Sequence, residues 1–223
     1  DAMNVARREL QGWEADDLLG TMAAQADQQG WETVIVTGDR DSLQLITEHV
    51  RVKLVSTRMG QTTTREMTPE SFYEEYGFEP RRLIDLKALM GDASDNIPGV
   101  PGIGEKTALD LLRRGGTLQQ IYQNMDGLEL KQGVRRKLTE GRGMALLSYD
   151  LATIRCDAPL DFKPQDALLK KPDEPRLYQL FVRLGFQKLI DKMGLSAQGV
   201  QNARRPECPA EMIADDAQAD ALL

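Results

Sequence analysis

The chain contains 223 residues, of which 41% are hydrophobic and 28% are charged, with a net charge of −7. This composition favours a folded globular protein and argues against a disordered or fibrous chain. No segment approaches the roughly 20 apolar residues of a membrane-spanning helix, and the first ten residues lack the apolar run of a secretion signal. We therefore predict a soluble, cytoplasmic protein with no membrane partner.

Cysteine and histidine content limits the available chemistry. Cys156 and Cys208 lie far apart with no CxxC spacing, which argues against a disulfide scaffold and a zinc finger. A mechanism based on a histidine general base has one candidate, His49. Any catalysis is therefore expected to depend on carboxylates.

The charge is unevenly distributed along the chain. Residues 1–100 carry a net charge of −8, residues 101–200 carry +4, and residues 201–223 carry −3. Such an asymmetry suits a protein that gathers carboxylates in one part and offers cations to a polyanion in another, although solvated surface charge can also produce it.

Helical and strand patterns alternate in the first part of the chain. Apolar spacing predicts a helix from Glu14 to Gln29, and the β-branched run from Trp31 to Thr37 predicts a strand buried on both faces, as in parallel sheets. The remaining elements predicted here are a short helix over 41–46, strands over 50–56 and 62–67 around a turn at 59–61, a helix over 71–76 capped by Thr68 and Pro69, and a helix from Pro80 to Met90.

From Gly91 onward the pattern is a Gly- and Pro-rich loop followed only by helices. The predicted helices cover 105–114, 117–124, 131–155 and 173–193, the last with a break at Gly185. From Ser196 the apolar periodicity fades. We predict an α/β part over residues 1–90, an all-helical part over 91–195, and a linker or disordered tail over 196–223.

Two acidic patches lie in the predicted α/β part. Glu14, Asp16 and Asp17 begin the first helix, where acidic residues also simply complement the helix dipole. Asp39 and Asp41 follow the first strand, at the end of a parallel sheet where ligands bind, although they also suit an ordinary turn.

A third acidic patch follows the helix that ends at Met90. It contains Asp92 and Asp95, for which an Asx turn is the alternative interpretation. Clustered carboxylates without histidine or cysteine select hard ions such as Mg²⁺ or Mn²⁺. Two such ions about 4 Å apart are the known device for in-line phosphodiester hydrolysis.

Residues 99–108 form a Gly-rich hairpin that opens directly into a helix. Glycine lets the backbone approach a phosphate closely, and the first helical N–H groups, together with Lys106, can hold it. A tight turn used only for packing is the alternative. Basic residues follow that could track a nucleic-acid backbone or form a solvated helix face: Arg113, Arg114, Lys131, Arg135, Arg136, Lys137 and Arg142.

These motifs resemble the 5′-3′ exonuclease domain of bacterial DNA polymerase I, in the flap endonuclease or 5′ nuclease family. The resemblance rests on GWEADD at 12–17, TGDRD at 37–41 and LMGDASDNIPGVPGIGEKTA at 89–108, and it extends from about Met3 to Leu195. It implies a partial parallel-sheet, PIN-like nuclease core followed by a helical region that contains a helix-hairpin-helix motif.

The resemblance also implies roles for individual residues. Glu14, Asp16 and Asp17 would belong to a first metal site and its bridge, and Asp39, Asp41 and Asp95 would hold a second Mg²⁺ or Mn²⁺ ion, with Asp92 nearby. In the family the hairpin grips duplex DNA, in some members with a bound K⁺. The catalytic residues implied are Glu14, Asp16, Asp17, Asp39, Asp41 and Asp95; the metal ligands are these six and Asp92; and the DNA-binding residues are Gly99, Gly102, Ile103, Gly104, Lys106 and Thr107.

The family's domain begins with a strand that carries a first metal-binding aspartate, a second aspartate and a basic helical arch. The residues before Glu14 do not match these features, so we expect an N-terminally truncated chain with an incomplete first metal site. The segment from Ser196 resembles the linker to the remaining polymerase domains. We predict a monomer or a region of a larger polymerase chain.

The principal functional hypothesis is a metal-dependent, structure-specific 5′ nuclease of DNA replication and repair. Its DNA partner would carry a 5′ flap, a nick or a free 5′ end. The main alternative is a non-catalytic module that binds duplex DNA while its carboxylates stay idle. A PIN-type RNase shares the acidic cluster but gives no reason for the hairpin.

Overall fold

The computed structural model describes residues 1–197, which form three β-strands and nine α-helices. Two compact units are present: Arg7–Asp166 forms one, and Asp1–Ala6 with the described residues from Ala167 onward forms the other. The strands are β1 (Thr33–Thr37), β2 (Val50–Arg58) and β3 (Gln61–Met67), and the helices are α1 (Ala15–Gln28), α2 (Pro69–Tyr76), α3 (Leu83–Met90), α4 (Glu105–Gly115), α5 (Leu118–Gln123), α6 (Gln132–Glu140), α7 (Arg142–Ala152), α8 (Glu174–Leu184) and α9 (Gln187–Met193). Short 3-10 helices cover Asp41–Leu45, Pro80–Arg82 and Pro164–Ala167.

The larger unit is built on a three-stranded mixed sheet with the order β1-β2-β3. β1 runs parallel to β2, with Thr33 opposite Val50, and β2 runs antiparallel to β3 through the predicted turn at Met59 and Gly60. Helices pack on this sheet, so the predicted α/β class is confirmed. The carboxyl end of β1 opens into the loop that carries Asp39.

The prediction that β1 is buried on both faces is wrong. Ile35 is 4% exposed, whereas Val34 and Val36 are 41% and 63% exposed. Within residues 1–197, β1 lies at an edge of the sheet, and alternate side chains of a strand point to opposite faces. Only the face of β1 that carries Ile35 packs against the helices. A strand rich in β-branched residues is therefore not necessarily buried on both faces.

Helix α3 is the central helix of the larger unit. Every residue from Leu83 to Leu89 is buried, and α3 packs against α4 and α7. The buried set includes two charged side chains, Asp85 and Lys87. Charged residues are almost never fully buried without a partner, so each must find one inside the fold.

The single helix predicted over 131–155 is instead two helices, α6 and α7, which meet at Gly141. A Cβ atom at Gly141 would lie 2.7 Å from Val100 Cγ1 and 2.9 Å from the Lys137 carbonyl oxygen. The hairpin therefore approaches the backbone at the junction of the two helices. This contact lies about 40 residues away in sequence and leaves no trace in the periodicity of the helices.

In the smaller unit, α8 and α9 meet at Gly185, which has a positive φ of 69°, at the break predicted from the sequence. Leu177, Phe181 and Ile190 form its core. The tail predicted over 196–223, like Cys208, lies almost wholly outside the described residues. No helix within residues 1–197 has both the length and the apolarity needed to cross a membrane.

Candidate metal centre and DNA-binding hairpin

Three carboxylates from two separate segments meet beside the sheet. Asp41 begins the 3-10 helix that follows β1, and Asp92 and Asp95 lie in the loop that follows α3. One oxygen from each of these side chains lies within 4.8 Å of the others. Among the described residues, no other group of three acidic, histidine or cysteine side chains is this close. The sequence predicted this meeting of the second and third acidic patches.

The side chain at the centre of this group is Lys87 of α3. Its Nζ atom forms a short hydrogen bond with Asp41 Oδ1, lies 2.6 Å from Asp92 Oδ2, and lies 3.7 Å from Asp95 Oδ2. Lys87 is 7% exposed, whereas the Asp95 side chain is 50% exposed. The cluster is thus closed on the side of α3 and open to solvent on the side of Asp95.

Burial and the Lys87 ammonium act against each other on these groups. Burial raises the pKa of Asp41, and the bond to Lys87 only partly offsets this effect. Burial also opposes ionisation of Asp92, but its hydrogen bonds to Lys87 and Ser94 dominate and lower its pKa to about 2. Burial lowers the pKa of Lys87, and its bonds to Asp41 and Asp92 outweigh burial and leave it raised. The geometry favours a protonated lysine between ionised carboxylates.

The loop after α3 has a fixed geometry that aims its carboxylates. Asp92 and Ile97 exchange backbone hydrogen bonds of 2.9 and 2.8 Å, and Asp92 Oδ1 accepts the Ser94 N–H at 2.9 Å. Asn96 adopts a φ of 56°, which asparagine tolerates better than most residues. The Asx turn that was the alternative for Asp92 is therefore present, and the same side chain also belongs to the cluster.

The first acidic patch lies near the cluster but does not join it. The pKa of Asp16 is raised, first by burial and then by the charges of Asp39, Asp41 and Glu14 among others. Salt screens the interaction between charges that are far apart, so the effect of Asp39 and Asp41 on Asp16 means that these carboxylates lie near one another. Asp16 therefore shares the negative potential of the second patch.

Two other predicted ligands have partners of their own. Asp17 Oδ1 accepts the backbone N–H of Arg155 at 2.9 Å, which holds this carboxylate on the segment after α7. Asp39 Oδ1 accepts the N–H of Asp41 at 2.9 Å in an Asx turn. Glu14 is the exposed N-cap residue of α1 and makes no capping hydrogen bond.

The donor set of the cluster fits a hard divalent cation. All three side chains offer carboxylate oxygens, and no sulfur or imidazole ligand belongs to the group. Asp41, Asp92 and Asp95 could hold such an ion. Asp16 and Asp39 add negative potential beside them.

The Gly-rich hairpin follows the acidic loop without a break. Val100 and Ile103 are 2% and 3% exposed and anchor the hairpin in the core, whereas Gly102, Gly104 and Lys106 are exposed. Gly102 has a φ of 79°, which favours glycine. Gly104 is the N-cap residue of α4, whose first backbone N–H groups have no intrahelical partner. The exposed part of the hairpin therefore offers free amide groups beside a lysine.

Two of the predicted DNA-binding residues are buried. Gly99 donates its N–H to Ser148 Oγ at 2.9 Å, and the Ile103 side chain lies in the core. Because both residues are buried, they stabilise the conformation of the hairpin and are not exposed for contact with DNA. Thr107 is half-buried in the first turn of α4.

Most of the predicted basic residues are engaged in contacts within the protein. Arg113 donates to the Tyr76 carbonyl at 2.9 Å, Arg114 pairs with Asp110 at 2.8 Å, Arg135 pairs with Asp126 at 2.6 Å, and Arg142 lies 5.6 Å from the Tyr122 ring centroid.

Three lysines stand beside the exposed hairpin. Lys106 and Lys131 line one cleft of about 530 Å³, and Lys137 Nζ donates to the Gly102 carbonyl at 2.9 Å. Lys106, Lys131 and Lys137 thus form the basic surface of the hairpin, and Arg114 lines the same cleft as Lys106 and Lys131.

Sequence reasoning missed Lys87, although the sequence contains a signal for it. The run LIDLKALM places one lysine in an apolar helix that is too hydrophobic to be a surface helix. A buried ammonium requires a carboxylate partner, so this lysine pointed to a contact with one of the predicted acidic patches.

Comparisons with known proteins agree with the motifs. A family model described as the N-terminal resolvase-like domain of 5′-3′ exonucleases matches residues 1–77, and one described as the C-terminal SAM fold of 5′-3′ exonucleases matches residues 78–175. The predicted resemblance is therefore confirmed.

Curated relatives carry the name DNA polymerase I. The protein from Caldicellulosiruptor bescii is 46% identical over 195 residues, which cover 87% of this chain and 23% of that protein. The protein from Bacillus subtilis is 38% identical over 216 residues, which cover 96% of this chain and 24% of that protein. The chain thus spans about a quarter of the length of these relatives.

Solved structures of a bacteriophage nuclease resemble the fold. The T5 5′-exonuclease with bound divalent metal ions (zinc) is 28% identical, with a TM-score of 0.54, over 64% of this chain and 51% of that chain. The T5 flap endonuclease in a pseudo-enzyme-product complex with DNA and metal ions is 27% identical, with a TM-score of 0.54, over 64% and 50% of the two chains. Since the two family models together span residues 1–175, the chain belongs to the 5′-3′ exonuclease family.

Proposed function

We propose that this chain is the 5′ nuclease region of a DNA polymerase I that hydrolyses phosphodiesters near the 5′ end of flapped or nicked DNA during replication and repair. The observation that carries the proposal is the continuity of the cluster and the hairpin. Asp92 and Asp95 lie in the loop that leads directly into the exposed hairpin at Gly102. A strand held by the hairpin would therefore lie close to the carboxylates.

Asp41, Asp92 and Asp95 would hold one Mg²⁺ or Mn²⁺ ion, and Glu14, Asp16, Asp17 and Asp39 are the proposed ligands and catalytic residues around a second. Bound divalent ions supply a water of lowered pKa and neutralise charge on the phosphate. The protein's own part is to hold several carboxylates close together. Lys87 does this from the side of α3, and the Asx turns at Asp39 and Asp92 do it from the loops.

For DNA binding we propose a division of roles within the hairpin. The residues that would contact the phosphate backbone are Gly102, Gly104, Lys106 and Thr107. The carbonyl oxygens of the hairpin would bind K⁺. Gly99 and Ile103 would act by holding the hairpin in shape, because both are buried. Arginine and lysine contacts to phosphate make binding salt-dependent, so duplex affinity should fall steeply as salt rises.

We further propose that residues 1–90 supply the nuclease core and residues 91–195 the DNA-binding part. The region would act as a monomer within a polymerase chain in the cytoplasm. The chain matches about a quarter of each DNA polymerase I, which supports its place within a longer polymerase chain.

The test is Mn²⁺-dependent cleavage of a labelled 5′-flap duplex. Asp95→Asn and Asp41→Asn should abolish cleavage while leaving duplex affinity within about twofold, because neither residue belongs to the hairpin. Asp161→Asn removes one exposed carboxylate outside the cluster and serves as the matched control. Cleavage that persists in Asp95→Asn would contradict the proposal.

A non-catalytic module that binds duplex DNA is the second candidate. The observation that favours it is Lys87, because an internal ammonium explains why three carboxylates can stand together without any bound ion. Salt-dependent duplex binding with no turnover in Mg²⁺ or Mn²⁺ would select this candidate. Cleavage of RNA without preference for DNA would instead favour the PIN-type RNase.

A further inference from the structure

Lys87 lies in the position that a bound cation would require. Its Nζ atom contacts Asp41 and Asp92 and lies 3.7 Å from Asp95 Oδ2, and these are the same three side chains that form the candidate metal centre. With 7% exposure, the ammonium has little water to bind instead. Nothing in the pattern of an ordinary surface ion pair requires one lysine to contact three aspartates.

Charge explains why the fold tolerates this arrangement. Unit charges about 4 Å apart repel by roughly 4 kcal/mol at an effective dielectric constant of 20, so three ionised carboxylates cannot stay together without a cation. The ammonium meets this need in the protein alone. It also leaves the cluster with a net negative charge, so a divalent cation is still attracted to it.

A lysine ammonium and a divalent ion cannot occupy this site together at low cost. The oxygens of Asp41, Asp92 and Asp95 lie within 4.8 Å of one another, and an ion bound between them would stand within a few ångströms of Lys87 Nζ. Like charges at that distance repel strongly. One of the two cations must therefore give up some of its contacts.

We propose that the Lys87 ammonium is a built-in counter-ion that holds Asp41, Asp92 and Asp95 together and gives way when a divalent ion binds them. The proposal rests on the metal centre of the proposed function and adds a role for a residue outside the carboxylates. Lys87 would be a positioning residue. It keeps the centre assembled before metal binds, and it weakens metal binding by competing for the same oxygens.

The substitution Lys87→Met separates this role from that of a supporting ligand. Methionine keeps the apolar length of the side chain and removes the charge. Without metal, the variant should be less stable than the wild type because the carboxylates repel. With metal, it should bind Mn²⁺ tighter by about tenfold or more, because the competing charge is gone. A lysine that merely supported the ligands would give weaker binding when removed.

The measurements are the Mn²⁺ dissociation constant from calorimetry and the thermal midpoint with and without Mn²⁺. Lys53→Met removes a partly exposed positive charge on β2 that lies 3.5 Å from Glu66 Oε2, outside the cluster, and is the matched control, which should change neither quantity appreciably. Asp95→Asn identifies the binding event that belongs to the cluster. Unchanged or weaker Mn²⁺ binding in folded Lys87→Met would overturn the proposal.

A measurement on the wild type covers the case in which Lys87→Met does not fold. A lysine ammonium held by two carboxylates should give a protected signal in ¹H–¹⁵N spectra, assigned by its absence from Lys87→Arg. Saturation with diamagnetic Mg²⁺ should shift or remove this signal, and a signal that stays unchanged would overturn the proposal. If the wild type shows no divalent-ion binding that is lost in Asp95→Asn, the proposed function fails. If it binds one without affecting Lys87, only this inference fails.

Discussion

The hydrogen bond between Ser148 and Gly99 provides a test of how the hairpin is held. Ser148 is fully buried on α7, and its Oγ atom accepts the Gly99 N–H at 2.9 Å. Ser148→Ala would leave a buried backbone N–H without a partner, which costs about 1–3 kcal/mol. For a chain of this size, each kcal/mol lowers the midpoint of thermal unfolding by about 2–4 °C.

Ser42 is the matched control for Ser148. It is also fully buried, but within the described residues its hydroxyl has no hydrogen-bond partner. Ser42→Ala removes the same atom without orphaning any group, so stability should stay within about 0.5 kcal/mol of the wild type or increase. Urea unfolding followed by circular dichroism compares the two. Equal changes in unfolding free energy would refute the reasoning, because burial would then matter and the bond would not.

Three further predictions concern glycines and one buried acid. Gly102→Ala should destabilise the protein and weaken duplex binding, since Gly102 has a φ of 79°. A Cβ atom at Gly104 meets open space, so urea unfolding should show a lower unfolding free energy for Gly102→Ala and not for Gly104→Ala. Gly141→Ala should lower the unfolding free energy by about 1–3 kcal/mol through overpacking, whereas Gly143→Ala, which meets no atom within 4 Å in α7, should raise it by up to about 1 kcal/mol; equal shifts would contradict the packing at the helix junction. Burial raises the pKa of Asp85, so its contribution to stability is lost as pH rises through that pKa. The unfolding free energy of Asp85→Asn relative to the wild type should therefore increase as pH rises above 3.8, the ordinary pKa of the group, and identical pH profiles would disprove it.

Elements with strong local signals were predicted well. Thr68 accepts the Ser71 N–H and Pro69 starts α2, while Gly77 ends it with a φ of 79°, as the sequence indicates. Such caps and turns depend on interactions between residues a few positions apart. The helix pattern over 131–155 contains Gly141, but the single-helix prediction passed over it and was wrong, because the packing of Val100 at this glycine is a distant contact. For β1 the strand was predicted correctly and only its burial on both faces was wrong.

The sequence by itself determined which carboxylates could be gathered, the hairpin that follows them, and the family. Only the tertiary structure decided that the first acidic patch stays outside the group of Asp41, Asp92 and Asp95, that Asp17 instead accepts the Arg155 N–H, and that Lys87 stands among the carboxylates. The contact between Asp41 and Lys87 joins residues 46 positions apart. Periodicity and turn chemistry act over a few residues, whereas the partner of a buried charge is set by how distant segments pack.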